Sequence, residues 1–263
     1  MSRVLVICRQ RLGDIVACFP AARHLAQTGN EVDFCCFPQY HSMFRAASYC
    51  RAVGIEALAR KKDYERVYDF EISRSEYDAF RASKTNIRHY MYGKYEELWP
   101  LRNERPFFDQ MRDVSDYQLP TQYALACPTG ISQTPRVNGE WFRQQCVSLT
   151  KDPWYILIDK PNRKTSWGTS LYARSLDHLP SLIVGATTFV TINSAPNIIA
   201  AGVRTSYYQV YEAGFGGQSN YEVSGQIVLH QPSEVAHYSW RFWVHYWRRR
   251  LMGIDTSHDS GKS

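Results

Sequence analysis

Val4-Leu5-Val6-Ile7-Cys8-Arg9-Gln10-Arg11-Leu12-Gly13-Asp14-Ile15-Val16 is the stretch from which the rest of the chain can be read. An apolar, β-branched run stops at a basic turn that contains a glycine. From Asp14 the pattern becomes amphipathic through Ala26, with Phe19 and Pro20 in its second turn. That change of period predicts a buried strand over residues 3–8, a tight turn, and a helix over 14–28. In an open α/β sheet, ligands bind outside the carboxyl ends of the strands, beside helix N-termini. The turn thus brings a carboxylate, two arginines and free backbone amides to the expected ligand edge. The same residues also fit a plainer role, with Asp14 as a helix cap and Arg9 and Arg11 as solvated turn residues.

The whole chain sets the bounds. In 263 residues, 44% apolar and 14% aromatic content supplies a packed core and excludes a disordered chain. No run of about 18 apolar residues occurs, so no membrane-spanning helix is expected. The start, Met1-Ser2-Arg3-Val4, leads into the first strand without the small-residue cleavage region of a signal peptide. Seven cysteines (8, 18, 35, 36, 50, 127 and 146) form no C-x-x-C pair. Scattered through apolar patterns, they read as buried free thiols of a reducing cytosol, with no metal site and no disulfide framework. A net charge of +6 suits a phosphate-bearing partner: a nucleotide sugar, an anionic glycolipid or a nucleic acid.

Beyond the opening unit, residues 31–37 predict a second strand and 39–49 a helix. Further strands are expected near 53–58 and over 64–70. Strands alternating with helices through short turns predict a parallel sheet covered on both faces. Residues 73–112 mix cations with aromatics: Arg74, Arg81, Lys84, Arg88, His89, Tyr90, Tyr92, Lys94 and Tyr95. Such a mixture grips phosphates and stacks on sugars or bases, or else forms a solvated helix pair with inward tyrosines. Residues 122–129 predict a helix. Pro128, Gly130, Pro135, Asn138 and Gly139 then mark a linker. Trp154 to Ile158 opens a second strand series. Near the end, Trp240, Trp243, Val244 and Trp247 share one face of a helix predicted over 233–251, followed by a polar tail over 255–263.

Two stretches of the second half carry chemistry. In Ile158-Asp159-Lys160-Pro161-Asn162-Arg163-Lys164-Thr165-Ser166-Trp167-Gly168 a strand ends in a turn with three cations. Cations beside backbone amides suit a diphosphate whose charge grows as a sugar leaves it, although ordinary surface loops are also basic. In the stretch from Phe189 through Asn193, Ser194, Ala195 and Pro196 to Val203, a strand turns into an alanine-rich helix. Ser194 stands at that helix N-terminus, where backbone amides receive anions. A strand is expected over 207–211 after this unit. Gly214, Gly216 and Gly217 then form a permissive loop.

Arg11-x-Gly13-Asp14-Ile15 after an N-terminal strand, with a proline about six residues into the helix, resembles the opening of the heptosyltransferases, glycosyltransferase family 9. In that family the aspartate of the Gly-Asp pair faces the acceptor hydroxyl as general base. Lys160-Pro161 followed by Lys164 and Trp167 resembles the family's His-Pro turn with its Lys and Trp. Thr191 to Ala201 resembles its strand, Asp-Ser-Gly-Pro-x-His turn and alanine-rich helix. Here the motif's Asp is Asn193, its Gly is Ala195 and its His is Ile198. Between Trp167 and Leu179 the chain is short of a strand–helix unit.

The resemblance implies a GT-B fold: two Rossmann-like domains facing a cleft, with a C-terminal helix packing back. The division expected is 1–140 on the acceptor side, 141–232 as a trimmed nucleotide-sugar domain, and 233–263 as helix and tail. It implies inverting transfer of a sugar from a nucleotide-diphosphate sugar to a saccharide or glycolipid hydroxyl. Asp14 is the implied base. Lys160, Arg163, Lys164, Asn193 and Ser194 hold the donor, and Arg11, Gly13, Arg88 and Tyr92 lie on the acceptor side. No metal and no cofactor beyond the co-substrate is implied. The implied place is cytoplasmic, with the inner-membrane surface as an alternative. Two other readings stay open: a DNA glycosyltransferase acting on hydroxylated bases, with Arg81, Lys84, Arg88 and Lys94 on the duplex, and a degenerate member that only binds.

Overall fold

In the computed structural model, which describes residues 2–83, 85–129, 137–211 and 226–232, the opening apolar run forms β1 (Arg3–Ile7). Val4 and Val6 enter one core with Cys8, while Leu5 and Ile7 enter another on the opposite face. A strand covered on both faces needs no polar alternation, so its sequence reads as a continuous apolar run. The chain continues through α1 (Leu12–Ala17), α2 (Phe19–Gln27), β2 (Glu31–Cys35), β3 (Arg51–Val53), β4 (Arg66–Asp69), α3 (Arg74–Ala82) and α4 (Ile87–Tyr92). The four strands form a wholly parallel sheet in the order β3-β2-β1-β4.

The single helix expected over 14–28 is two helices meeting at Cys18. Pro20 has no N–H to give to the carbonyl of Val16, so the ladder is interrupted there. Tyr92 occupies the break: its hydroxyl donates to the carbonyl of Ala17 (3.0 Å) and accepts from the N–H of Ala21 (3.2 Å). Those two groups would bond each other in an unbroken helix, and a polar group inserted between them bends it. The expected helix over 39–49 is a 3-10 helix, Pro38–Ala46. The strand expected near 53–58 shrinks to β3, because Glu56 turns back to accept the N–H of Gly54 and a 3-10 segment, Ile55–Asp63, follows.

The second sheet contains β5 (Ala124–Cys127), β6 (Trp154–Ile158), β7 (Thr169–Tyr172), β8 (Thr188–Ile192), β9 (Tyr207–Tyr211) and β10 (Gln226–His230). Its order is β10-β9-β8-β5-β6-β7, again all parallel. Around it lie α5 (Gly139–Leu149), α6 (Leu179–Gly185) and α7 (Ala195–Val203). The helix expected over 122–129 is instead β5, fully buried at the middle of this sheet. A short apolar run fits a buried strand or a buried helix equally by period, and here the pairing with β6 and β8 decided it. This strand precedes residue 140 and still belongs to the second sheet. β7, an edge strand, lies in the stretch that had read as too short.

Residues 104–123 cross between the sheets, tied to both. Asp109 accepts from the N–H of Ser48 (2.8 Å), and Arg23 stacks on Phe107 at 3.9 Å. On the other side Arg112 donates its N–H to Ser181 (2.9 Å) and pairs with buried Asp177 (3.3 Å). Gly202 of α7 lets this segment approach: a Cβ there would lie 2.5 Å from the carbonyl oxygen of Pro106. One apolar core runs from Val6, Leu12 and Ile15 to Phe189, Ile198 and Ile199, joining the two sheets through their helices. No helix among the described residues is long and apolar enough to cross a membrane. The expected helix over 233–251, the tail, the loop of Gly214, Gly216 and Gly217, and Gly130 and Pro135 of the expected linker lie outside the described residues.

Candidate functional site

The loop from Cys8 to Arg11 leaves the carboxyl end of β1 and enters α1 with Arg11 as the extended cap residue. Asp14 is therefore the third helical residue, not the cap. Its Oδ2 accepts the N–H of Arg11 at 3.3 Å, the returning half of a capping box. The plainer reading of Asp14 is thus partly right: the carboxylate does serve the helix end. Burial raises its pKa above the ordinary carboxylate value, against the opposing N–H and charge of Arg11. Beneath it lie Cys8 and Cys18, both fully buried; Cys18 donates to the carbonyl of Asp14 at 3.3 Å. Their mutual hydrogen bond, with burial, keeps the Cys8 thiol protonated.

The two arginines of the turn part company. Arg11 is exposed at the ligand edge. Arg9 turns toward β4, where its N–H, Nε and Nη2 all donate to Glu71, at 2.8, 2.7 and 2.5 Å. Nothing in the local pattern singles out Glu71, because its partner is 62 residues away.

Across from α1 stands the N-terminus of α7. Asn193 and Ser194 follow β8 and are half-buried. The hydroxyl of Ser194 does not cap the helix; it turns back to the carbonyl of Ile192 (3.2 Å) and to Thr191 (3.4 Å). Pro196 has no N–H and the N–H of Asn197 goes to the carbonyl of Ser194 (3.0 Å), so the amide this helix end leaves for an anion is that of Ala195. This end abuts Gly13: a Cβ on Gly13 would lie 3.0 Å from Cδ1 of Ile198 and 3.8 Å from the nitrogen of Ala195. A larger residue there would press on the tip of the Ile198 side chain, which would have to give by a few tenths of an ångström.

The third piece is the loop after β6. Sheet order sets the carboxyl ends of β8, β5 and β6 side by side, so Asn193 and Ser194 share an edge with residues 159–164. Asp159 is near enough to act on the thiol of Cys127 at the end of β5. Asn162 takes a left-handed turn (φ 68°), which asparagine tolerates. Arg163 pairs with Asp159 at 2.7 Å and lowers that carboxyl's pKa, whereas Lys160 and Lys164 are exposed. Trp167 packs inward against Trp154, ring centres 5.9 Å apart.

Two expected acceptor-side residues do not reach this site. Arg88 is 4% exposed and donates to the carbonyls of Glu104 (2.7 Å) and Leu101 (3.3 Å). Tyr92 is fully buried at the helix break. Both serve the core, because a guanidinium and a phenol can satisfy backbone groups that a break and a loop leave open. Of the cations expected on a duplex, Lys94 pairs with Glu76 (2.9 Å) and also donates to the carbonyl of Glu71. Lys84 and the Arg81 side chain lie outside what the structure describes. Among the described residues no group of three or more His, Cys, Asp or Glu side chains could hold a metal ion.

No family model matches the chain, and no curated protein does. Among solved structures it is similar to a family 9 glycosyltransferase from Veillonella parvula: 11% identity, TM-score 0.64, 99% of this chain and 92% of that one. It is similar to the E. coli heptosyltransferase WaaC solved with ADP: 13% identity, TM-score 0.55, 96% and 99% covered. E. coli ADP-heptose lipopolysaccharide heptosyltransferase II gives 11% identity, TM-score 0.57, and 95% and 99% coverage. With its two parallel sheets joined through α1 and α7, the chain has the GT-B fold, two Rossmann-like halves, in the form of the family 9 heptosyltransferases.

Proposed function

We propose that the chain is an inverting glycosyltransferase that moves a sugar from a nucleoside diphosphate sugar to a hydroxyl of a saccharide or glycolipid. The observation that carries this reading is the meeting, across Gly13, of the helix bearing Asp14 with the uncapped end of α7. A half-buried carboxylate with a raised pKa is a stronger base than an exposed one, which suits proton removal. The acceptor oxygen attacks the anomeric carbon as its proton passes to Asp14. The bond from that carbon to the diphosphate breaks, and its electron pair leaves on the phosphate oxygen. Lys160, Lys164 and the Ala195 amide at the start of α7 stabilise that charge. Arg163 joins them by exchanging Asp159 for phosphate. Arg11 and Gly13 line the acceptor side, and Asn193 contacts the donor as a neutral hydrogen-bonding group. ADP is the nucleotide to try first, since the E. coli neighbour was solved with it. The saccharide acceptor is preferred over DNA because Arg88 and Lys94 are engaged within the fold. The reaction is assigned to the cytoplasmic side.

The test combines calorimetry with ADP and a turnover assay on ADP-heptose and other nucleotide sugars, with glycolipid and hydroxymethylated-duplex acceptors. Saturable ADP binding with sugar transfer to glycolipid is expected. No binding of any nucleoside diphosphate would sink the reading. Binding without turnover would favour a binding-only protein, to which neutral Asn193 and apolar Ile198 point; transfer to the duplex would replace the acceptor.

A further inference from the structure

We infer that Glu71 is a positioning residue for the proposed base: its carboxylate clamps Arg9 and so sets the path of the loop that carries Asp14. The inference rests on the reading of Asp14 given above. The pairing of β1 with β4 ends with Ile7 opposite Asp69, and the N–H of Phe70 then gives the last rung, to the carbonyl of Ile7 at 2.9 Å. The next amide to need a partner on that side is the N–H of Arg9. No backbone carbonyl takes it; Oε1 of Glu71 does. The same carboxylate receives Nε and Nη2 of Arg9 in a forked pair. Side chain and main chain of one residue are thus fixed by a single group, five positions before Asp14. The following odd-numbered amide, that of Arg11, is taken by Asp14 itself. Two carboxylates therefore hold the loop, one from outside and one from within.

Glu71 is itself held. Its N–H donates to Asp69 at 3.0 Å, and its carbonyl accepts from Lys94, which pairs with Glu76 of α3. The chain of contacts runs from α3 through Lys94 and the end of β4 to the loop. An isolated exposed ion pair holds little, because solvent screens it and both side chains lose freedom. Here the Glu71 side chain is only 19% exposed, the geometry is bidentate, and a backbone amide is the third donor. These features make the pair a geometric constraint.

The test compares Glu71→Ala, Glu71→Gln and Arg9→Lys in the full chain. The groups acting on the Asp14 carboxyl are Arg11, with Cys8 and Cys18 beneath; α7 meets the adjoining Gly13 with Ala195 and Ile198, which do not titrate. Carbon-13 NMR of the Asp14 carboxyl reads the loop directly. In Glu71→Ala water reaches the loosened loop, and the Asp14 pKa falls back toward the ordinary carboxylate range. Glu71→Gln removes the same charge but keeps an oxygen for the Arg9 amide, and it should retain more of the raised value. Arg9→Lys keeps the charge, loses the fork, and should fall between them; it also serves if Glu71→Ala does not fold. Turnover should drop by up to about 10²-fold through kcat, the cost of a misplaced catalytic group, with ADP affinity unchanged. Equal shifts in Glu71→Ala and Glu71→Gln would assign the effect to charge alone and overturn the clamp. So would a wild-type Asp14 titration accompanied only by a lowered Tm. If the wild-type chain transfers no sugar, the proposed function fails while the NMR titration still decides the clamp.

Discussion

The β1–α1 turn and the β8–α7 turn are built alike and finished differently. Each ends an interior strand of a parallel sheet and opens a helix at the carboxyl edge. In the first, Asp14 sits inside the helix end and turns its own carboxylate on the loop amide of Arg11. In the second, Ser194 turns its hydroxyl away and leaves the Ala195 amide uncapped, while its carbonyl takes the N–H of Asn197. One turn thus brings a negative charge of its own, held partly out of water, and the other leaves room for one from outside. Their contact at Gly13 sets the two opposite each other. The lesson is that two strand–turn–helix units of the same build differ in charge at the helix end according to which way one short polar side chain points.

Removing the charge from the first turn should have the largest effect. Asp14→Asn keeps an oxygen for the Arg11 amide but cannot accept a proton, so transfer should fall by ~10²–10⁴-fold with ADP affinity unchanged. Near-normal turnover would return Asp14 to helix capping alone. The same variant bears on stability. Because burial raises the folded-state pKa of Asp14, its charged form is the disfavoured one. Its favourable contribution is complete below the ordinary carboxylate pKa and is lost as pH rises through the raised value. Asp14→Asn should therefore match wild type in acid and melt higher at neutral pH, measured by thermal unfolding against pH.

The second turn should respond more modestly. Lys160→Ala with Lys164→Ala should weaken ADP by roughly 10–150-fold, since hydrogen bonds to charged groups contribute about 1.5–3 kcal/mol and these two are exposed. Arg163→Ala should cost less, because phosphate must compete with Asp159 for it. An Arg163→Ala loss as large as that of the lysine pair would erase that distinction. The smallest expected change is also the sharpest test of the comparison. Ser194→Asp gives α7 a carboxylate of its own, as α1 already has. It should stabilise the chain by at most about 1 kcal/mol as a better cap and weaken ADP at the same time. Tighter ADP binding would show that the helix end is not the receptor.

How far the site was legible depends on the range of each contact. Asp14, Ser194 and the cations after β6 can be placed at the sheet edges from the sequence because strand, turn and helix follow one another within a dozen residues. Arg88 and Tyr92 have side chains that suit a ligand as well as they suit a core. For Tyr92 a broken helix 75 residues away, whose open amide and carbonyl it fills, draws it inward, and for Arg88 the carbonyls of Leu101 and Glu104 do. Glu71 was missed for the same reason. β5 was misread as helix because Ala-Leu-Ala-Cys has no period of its own over four buried residues.

Local sequence suffices for the parallel α/β class, most strand positions, the turns that carry polar groups to the sheet edges, and the free cysteines, all buried in the structure. These follow from local rules: side-chain period, helix capping and the punctuation of glycine and proline. The tertiary structure alone decided that β5 pairs between β6 and β8, and that Arg9 serves Glu71 while Arg11 stays open. It alone decided that Gly13 meets Ile198 and that Asp14 is dry enough to hold its proton longer. Each of these depends on which distant groups pack together. Burial and pairing are properties of the folded whole, and no local stretch of the chain encodes them.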